Sequence, residues 1–427
     1  MAFFVKYKKS IIGFIFYFFF ISLVFLPNSI NSKVIVALAI ISLLSIDFNA
    51  LKRSARNNYP ILLVFLWLSF SLSYSSDILN GIKEIGGFII IPISVLIFSQ
   101  VKLDPKTVYR ILYFFVGCMF IAALYSHSVK LADFFINGEA SFRSFFNLHY
   151  SYMELAKTIN LHPTYYAYYL LTAIAILLDF FKNKRNNWAI ALAVFLIVYF
   201  SFFIVHLSSR IGIVGLYLML MCFFMSYFFN GGCSRKIKGF LGLGLFHFLI
   251  GFFVLNVGTT KYRFQHLFGF SYYDGYTVND GDHKIRLWSA ALKSNKSIFF
   301  GNGIGDVGQS LNEQYLLDGL SKPHQESYNS HNQYIEFYVA SGAIGVLLLL
   351  YCFYFYAKKF YGSGKITIGW YFIAFTSFLC LTECMFNRHH GLVYFCVMLG
   401  LFLAIGANDA VSDLKDANNN NIKRKLV

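Results

Sequence analysis

The stretch Asn329-Ser330-His331-Asn332-Gln333-Tyr334-Ile335-Glu336 runs directly into an apolar segment that continues to residue 357. As a helix, the segment 332–357 is long enough to cross the roughly 30 Å hydrocarbon core of a bilayer. A histidine, an asparagine and a glutamate therefore lie where a long polar loop meets a membrane helix. Polar and ionisable residues at a membrane boundary are costly unless they are used. The stretch thus predicts a membrane-spanning fold and indicates where its chemistry should be sought.

The composition of the whole chain agrees with this prediction. The 427 residues are 57% hydrophobic and only 13% charged, and phenylalanine alone occurs 51 times. A soluble protein of this size could not bury so much apolar surface. We therefore predict an all-α polytopic integral membrane protein with about 12 transmembrane helices. Their expected limits are 10–27, 34–50, 59–75, 84–100, 108–126, 163–181, 187–207, 210–229, 238–257, 332–357, 366–385 and 391–408.

The predicted spans and loops divide the chain into six regions. The first apolar run has the lysine flank of a signal peptide, but it is too long and lacks a small-residue cleavage site, so we expect it to remain as a span. The tail, with its asparagine run, is expected to be disordered and cytoplasmic. The regions are N-terminal transmembrane helices (1–126), an extracytoplasmic segment (127–162), transmembrane helices (163–257), a long extracytoplasmic loop with the catalytic motifs (258–331), C-terminal transmembrane helices (332–408) and the tail (409–427).

The positive charges predict the orientation. The net charge of +16 comes from lysines and arginines clustered in alternate loops, while the short loops between them are nearly free of both residues. Cytoplasmic loops are the ones enriched in lysine and arginine, so both termini are predicted to be cytoplasmic and both long segments extracytoplasmic. No soluble basic face exists, which argues against a nucleic-acid partner. The basic loops contain Lys52/Arg53/Arg56, Lys102/Lys106/Arg110, Lys182/Lys184/Arg185, Arg235/Lys236/Lys238 and Lys358/Lys359/Lys365.

Several kinds of site are absent from the sequence. The seven cysteines avoid both long outer segments and show neither a disulfide framework nor a metal quartet, so we expect no metal and no cofactor. No Ser-His-Asp order, HExxH motif or glycosidase-type carboxylate pair stands out. Gly303–Gly308 matches GxGxxG, but no βαβ unit surrounds it and its loop faces outward. Its glycines are expected to allow a tight turn near a lipid headgroup or another backbone.

His331 is the best candidate for a general base. A helix N-terminus attracts anions and disfavours imidazolium, so a histidine there is kept neutral, as a base must be, beside a natural phosphate site. The alternative is that His331 merely caps a helix. Glu336 follows within the span, and Glu383 precedes Arg388 near the outer end of another span. A Glu383–Arg388 pair could be purely structural.

Two arginines are candidates for binding an anion. Arg210 lies in a tight outer turn between two apolar runs, where it either snorkels to the interface or binds an anionic partner. Arg286 lies in a segment whose apolar residues 285, 288, 291 and 292 predict an amphipathic helix on the membrane surface. Alone, Arg286 is typical of a solvated helix face. Together with Arg210, it could hold a phosphate by bidentate hydrogen bonds.

At this point the second half of the chain, about residues 160 to 400, resembles a known family. Its motifs are similar, in order and spacing, to those of the O-antigen ligase/polymerase family, although each motif alone is weak. The motifs are His162-Pro163-Thr164-Tyr165-Tyr166, Ser209-Arg210-Ile211-Gly212, Arg286-Leu287-Trp288, Ile298-Phe299-Phe300-Gly301-Asn302-Gly303-Ile304-Gly305, His331-Asn332-Gln333-Tyr334, Ser341-Gly342-Ala343-Ile344-Gly345 and Glu383-Cys384-Met385-Phe386-Asn387-Arg388.

The resemblance implies a GT-C-like membrane glycosyltransferase that acts on the outer face of a bacterial inner membrane. Its donor would be a glycan on undecaprenyl diphosphate, its acceptor lipid A–core or another glycan, and its other partners membrane lipids. We expect direct, inverting and metal-independent transfer. His331 is the predicted catalytic residue. The predicted substrate-binding residues are Arg210, Arg286, Asn332, His162 and Arg388, and the supporting residues are Glu336 and Glu383.

Other functions stay open. An O-antigen ligase is preferred, but an O-antigen or exopolysaccharide polymerase and a protein O-oligosaccharyltransferase use the same donor. A transporter of lipid-linked glycan is the alternative from another class. A transporter would place ionisable groups deep within its spans around a central cavity, whereas here they cluster at outer ends and in one outer loop.

Overall fold

The computed structural model describes residues 2–139, 141–183, 186–228, 232–268, 272–273, 276–277, 280–362 and 367–405. These residues are mostly helical, with one short antiparallel pair of two-residue strands, β1 (Tyr272–Tyr273) and β2 (Tyr276–Thr277). The helices are α1 (Ala2–Phe25), α2 (Asn28–Leu43), α3 (Phe48–Asn57), α4 (Tyr59–Ser71), α5 (Ile78–Phe88), α6 (Ile90–Gln100), α7 (Pro105–Ile136), α8 (Tyr152–Lys157), α9 (Pro163–Asn183), α10 (Asn187–His206), α11 (Arg210–Phe228), α12 (Cys233–Asn256), α13 (Gly258–Phe268), α14 (Asp280–Lys293), α15 (Val307–Leu317), α16 (Ser321–Gln325), α17 (Gln333–Gly362), α18 (Thr367–Leu379) and α19 (His389–Ile405).

The predicted fold class is confirmed. Helices occupy all twelve predicted apolar segments. Within the part of the chain that the structure describes, four helical stretches are long and apolar enough to cross a membrane: Ile78–Gln100 (α5 and α6 taken together), Pro105–Ile136, Asn187–His206 and Gln333–Tyr361. Several further apolar helices are shorter. The chain is therefore an all-α polytopic membrane protein, and the number of its spans stays a prediction.

Three of the differences from the predicted boundaries show what ends a helix or lengthens it. Predicted span 34–50 is interrupted, because Asp47 accepts hydrogen bonds from the backbone nitrogens of Asn49 and Ala50 and so caps the separate helix α3. Helix α7 continues to Ile136, well into the predicted segment 127–162. Helix α18 ends at Leu379, which leaves Glu383 in the connection to α19. Hydropathy locates apolar runs but not the caps that end helices.

Helix α9 lies at the centre of the bundle. It packs against α7, α10, α11 and α18, and its residues from Thr164 to Leu178 are buried. The Tyr168 hydroxyl lies 2.6 Å from the Thr376 hydroxyl on α18. Such interhelical hydrogen bonds satisfy polar groups that lipid cannot. This buried helix fixes the position of His162, which immediately precedes it.

A kink in α17 holds the long loop that follows α14 against the membrane helix. Ser341 and Gly342 leave helical geometry, and Gly342 has φ +69°. A Cβ there would come within 2.1 Å of the Phe299 backbone, so glycine is required for the close approach. The loop pairs with the kink through hydrogen bonds from Asn302 N to Val339 O (2.7 Å), Gly303 N to Ala340 O (3.1 Å) and Ala343 N to Ile298 O (2.8 Å).

The GxGxxG loop packs against another backbone, as expected of a structural turn. A Cβ on Gly305 would lie 2.0 Å from the Asp77 carbonyl oxygen. Beside it, the Asp306 carboxylate accepts hydrogen bonds from the backbone nitrogens of Ser76 (2.7 Å) and Asp77 (2.8 Å). These contacts attach the long loop to the turn that precedes α5.

The predicted orientation can be tested by cysteine labelling. Glu313 is exposed on α15 in the predicted outer loop, and Lys106 is exposed at the start of α7 on the predicted inner side. In intact spheroplasts, an impermeant thiol reagent should label Glu313→Cys above the background of the native cysteines. Lys106→Cys should react only after permeabilisation. The opposite pattern would reverse the topology.

Candidate functional site

His331 lies in a strained turn immediately before α17. Its φ of 50° falls in the left-handed region, which non-glycine residues rarely adopt. The Asn329 side-chain oxygen accepts a hydrogen bond from the His331 backbone nitrogen (3.0 Å) and supports this turn. The Asn332 side-chain oxygen accepts from the backbone nitrogens of Tyr334 (3.0 Å) and Ile335 (3.2 Å). Asn332 rather than His331 therefore caps α17, and strain of this kind often marks a functional position.

The imidazole of His331 faces the carboxylate of Glu383. The Nδ1 atom lies 3.4 Å from Glu383 Oε1. In neutral imidazole one nitrogen carries the proton and the other accepts, and a carboxylate beside Nδ1 favours the proton there. The Nε2 atom then presents a lone pair and has no hydrogen-bond partner within the described ranges. The His331 side chain is 32% exposed, so substrate can reach it.

Glu336 holds this turn in place from inside the protein. Its Oε2 accepts hydrogen bonds from the Ser330 backbone nitrogen (3.0 Å) and hydroxyl (2.7 Å). Its Oε1 accepts from Asn387 Nδ2 (3.2 Å). Glu336 is buried, and it joins the residue before His331 to the connection that carries Glu383. A supporting role for Glu336 in catalysis stays a prediction.

His162 belongs to the same cluster. Burial lowers the pKa of His162, and repulsion from His331, Arg388 and Arg263 lowers it further, while the charge of Glu383 opposes the shift. The structure thus brings together three regions that are far apart in sequence: the residue before α9, the residue before α17 and the α18–α19 connection. Arg388 is exposed at the edge of the cluster.

Positive charge keeps Glu383 ionised. Burial opposes ionisation of this carboxyl, but the hydrogen bond from His331 and the charges of His331, His162 and Lys284 outweigh it and lower the pKa of Glu383. The ionic partner seen for Glu383 is His331, not the Arg388 considered in the sequence. An ionised Glu383 can orient the imidazole and stabilise it once it gains a proton.

Arg263, Lys284 and Tyr165 were missed as site residues. Arg263 lies over the Tyr152 ring, 3.4 Å from its centroid, and its buried Nε has no hydrogen-bond partner within the described part of the chain. Lys284 Nζ donates to the Thr382 carbonyl (2.8 Å), next to Glu383. The Tyr165 hydroxyl is likewise buried without a partner among the described residues. Tyr165 lay in a quoted motif, but only the fold reveals its unpaired hydroxyl.

Arg210 begins α11 and is half-buried. Two residues later, a Cβ on Gly212 would lie 2.6 Å from the Ala167 Cβ, so this glycine lets α11 pack closely on α9. Before it, Ser208 has φ 51° and its hydroxyl lies 2.9 Å from that of Thr260 on α13. The tight turn predicted around Arg210 is therefore present and is attached to the helix that carries Arg263.

Arg286 is exposed on α14, on a face different from that of Lys284. Side chains two positions apart on an α-helix point about 200° apart around its axis. The side-chain hydrogen bond from Lys293 lowers the pKa of Asp318, and the charge of Arg286 makes a smaller contribution in the same direction. On the predicted apolar face of α14, Ala291 is buried, whereas Ile285 is 59% and Leu292 50% exposed, so only part of that face contacts protein. Lys284 is the α14 cation directed at Glu383.

No metal-binding cluster is found in the described residues: no group of three or more His, Cys, Asp or Glu side chains there could hold an ion. The positive charge near His331 comes instead from arginine and lysine. Metal independence stays a prediction.

The fold and the clustered residues define the class: a polytopic membrane protein with a histidine–carboxylate pair at one end of a spanning helix. Residues 192–350 match the family model described as O-antigen ligase. This match confirms the resemblance that the motifs predicted, over the matched part of the chain. The family indicates a membrane glycosyltransferase of the O-antigen ligase or polymerase type. No curated protein matches the chain.

Proposed function

We propose that this chain transfers a glycan from undecaprenyl diphosphate to an acceptor hydroxyl on the periplasmic side of a bacterial inner membrane. We further propose that the acceptor is lipid A–core, which makes the chain an O-antigen ligase. The observation that carries this proposal is the contact between His331 Nδ1 and Glu383 Oε1 at the mouth of α17, which leaves Nε2 free. The O-antigen ligase match over residues 192–350 supports it.

In the proposed reaction His331 acts as the general base. Its Nε2 takes the proton of the acceptor hydroxyl while the hydroxyl oxygen attacks the anomeric carbon of the donor. The bond from that carbon to the diphosphate oxygen breaks, and the electron pair leaves with the undecaprenyl diphosphate. One direct displacement inverts the anomeric centre. Glu383 stabilises the imidazolium that forms.

The leaving diphosphate requires positive charge that is in place before the reaction. We propose that Arg210 and Arg286 bind it, as the motif resemblance implies, and that His162, Asn332 and Arg388 contact donor or acceptor. Lys284 adds charge beside Glu383. The orphaned Arg263 Nε and Tyr165 hydroxyl are buried groups that a bound substrate could satisfy. The Asn332 oxygen is already engaged in capping α17, so its amide nitrogen is the atom available to substrate.

A glycan transporter remains the second candidate class. One observation bears on it: His127 Nε2 lies 3.1 Å from Nδ1 of the buried His206 within the helical bundle. His206 is the last residue of α10, so this pair also lies towards a helix end and not at the bilayer midplane. The placement favours an enzyme that acts at the interface.

We expect transfer to be independent of divalent metal. The purified protein should keep its full rate in excess chelator, because arginine and lysine supply the charge that a metal would otherwise provide. Loss of transfer in chelator, with recovery on addition of Mg²⁺ or Mn²⁺, would refute the arginine-based account.

The glycan phenotype of a deletion strain tests the choice of acceptor. A ligase predicts that polymer disappears from lipid A–core and accumulates on the lipid carrier. A single repeat unit on the core indicates a polymerase instead. Unchanged lipopolysaccharide with unglycosylated protein indicates a protein O-oligosaccharyltransferase. Complementation by the intact gene and not by His331→Ala connects the phenotype to the proposed site.

A further inference from the structure

A cavity of about 320 Å³ lies between helices α3, α4, α6, α17 and α19. The cavity lies at the end of α17 that is far from His331, because Lys359 lines it. A helix from Gln333 to Lys359 rises roughly 40 Å. The three cations that line it belong to the basic segments whose lysines and arginines predict a cytoplasmic position. The cavity is therefore separate from the proposed glycan site and is expected to face the inner leaflet.

Three cations line the cavity: Arg53 on α3, Lys102 after α6 and Lys359 on α17. No carboxylate is among its lining residues, and none of the three cations has an ion-pair partner within the ranges that the structure describes. The nearby Asp47 carboxylate is occupied as the cap of α3. The cavity therefore has uncompensated positive charge and is suited to an anion.

The other lining groups are polar on one side of the cavity and apolar on the other. Ser54 and Asn57 lie beside Arg53 on α3, whereas Phe98, Leu399 and Leu403 provide apolar walls from α6 and α19. A soluble anion uses the polar groups and the cations only. An anionic amphiphile uses both parts, because its headgroup binds the cations and its chain lies along the apolar helices.

The walls of the cavity are fixed by hydrogen bonds. Gln100 accepts from the Asp47 backbone nitrogen (2.7 Å) and donates to the Asp47 carbonyl (3.2 Å), which attaches the start of α3 to the end of α6. The Tyr356 hydroxyl donates to Asn58 Oδ1 (3.0 Å) and joins α17 to the turn between α3 and α4. On the far side, a Cβ on Gly400 would come within 2.1 Å of the Phe98 ring. The site is a built cavity, not a gap between loosely placed loops.

We propose that this cavity binds the phosphate headgroup of an anionic phospholipid of the inner leaflet, held by Arg53, Lys102 and Lys359. Basic pockets between transmembrane helices on the cytoplasmic side bind such headgroups. A free phosphate ion offers the same oxygens to the cations but leaves the apolar walls empty. The bound lipid joins α3 to α6 and α17, and so it stabilises the inner half of the bundle.

The test compares two triple variants of the full-length protein in detergent micelles, with phosphatidylglycerol as the probe. The test variant is R53A/K102A/K359A. The control R56A/K106A/K358A removes one cation from each corresponding segment, at positions that do not line the cavity. Each cation that contacts the headgroup should change affinity about fivefold, whereas the control cations lie off the cavity, so the test variant should bind phosphatidylglycerol about a hundredfold more weakly than the control. Native mass spectrometry measures the lipid that remains bound.

A second variant tests the cavity without removing charge. Ala50 lines it from α3 and is partly buried, so Ala50→Phe should fill part of the space and also weaken phosphatidylglycerol binding. Equal lipid binding by both triple variants would overturn the proposal, because diffuse surface charge would then explain binding. Tight binding of zwitterionic phosphatidylcholine, or complete displacement of the lipid by inorganic phosphate at equal concentration, would overturn it too. The expected result is selective retention of the anionic lipid with little competition from phosphate.

Discussion

Replacing His331 by alanine should reduce glycan transfer by about 10²–10⁴-fold, the usual contribution of a general base. The substitution removes Nε2. Of the two ring nitrogens of His331, it is the one that does not face Glu383 and can accept the proton of the acceptor hydroxyl. It should leave the donor bound, because the proposed diphosphate contacts come from arginine. Initial transfer rates and donor affinity, measured on purified variants with a lipid-linked glycan and an acceptor, separate these two effects.

His324→Ala is a matched control for His331→Ala. His324 lies in the same long loop, but its Nδ1 contacts the Asn312 carbonyl at 3.0 Å and it is outside the cluster. This variant should transfer at nearly the wild-type rate. Glu383→Gln keeps the size of the side chain but loses the charge that stabilises imidazolium, so we expect a loss smaller than that of His331→Ala. A His331→Ala variant that transfers normally would reduce His331 to a structural turn residue.

Replacing either Arg210 or Arg286 by alanine should lower transfer by about 10²–10³-fold, as expected for loss of one group that stabilises developing charge. Arginine can contact two diphosphate oxygens with its planar fork, whereas lysine offers a single point charge. Arg210→Lys and Arg286→Lys should therefore lose much of the rate but less of the donor affinity. The double alanine variant should be little worse than either single variant, because both residues act on one group.

Arg286 and Lys284 lie on the same helix, α14, so their alanine variants can be compared directly. Arg286 is exposed on α14, while Lys284 donates to the Thr382 carbonyl next to Glu383. If the donor binds as proposed, Arg286→Ala should impair transfer more than Lys284→Ala. The reverse order would move the diphosphate towards the Glu383 side of α14. Wild-type rates in both Arg210→Ala and Arg286→Ala would refute the proposal that these two arginines bind the diphosphate.

The sequence predicted the helices well because a membrane span is a long and uniform signal. Apolar runs such as 59–75 and 187–207 coincide with helices almost residue for residue. The amphipathic helix α3 was missed because it follows a four-residue break inside one apolar-looking segment. The kink at Ser341 and Gly342 was missed too, since hydropathy does not register a backbone that turns to meet another loop.

The candidate site was predictable only where a motif carried the signal. His331, Glu383 and His162 each lie in a recognised motif, and the fold brings them together. Arg263 and Lys284 lie outside those motifs, in stretches that look like ordinary polar loop. Their relevance comes from tertiary packing alone: α13 and α14 pack against each other, α13 also contacts α11, and α14 also contacts α17. No local pattern in one sequence encodes that neighbourhood.

The most direct test of the account is the fate of the donor in proteoliposomes that contain only the purified protein, undecaprenyl-diphosphate-linked glycan and lipid A–core. Product and released undecaprenyl diphosphate are measured together by mass spectrometry, for wild type and His331→Ala. The account predicts that glycosylated lipid A–core and free undecaprenyl diphosphate appear in equal amounts with wild type and nearly vanish with the variant. Movement of intact donor across the bilayer, with no undecaprenyl diphosphate released by wild type, would contradict it.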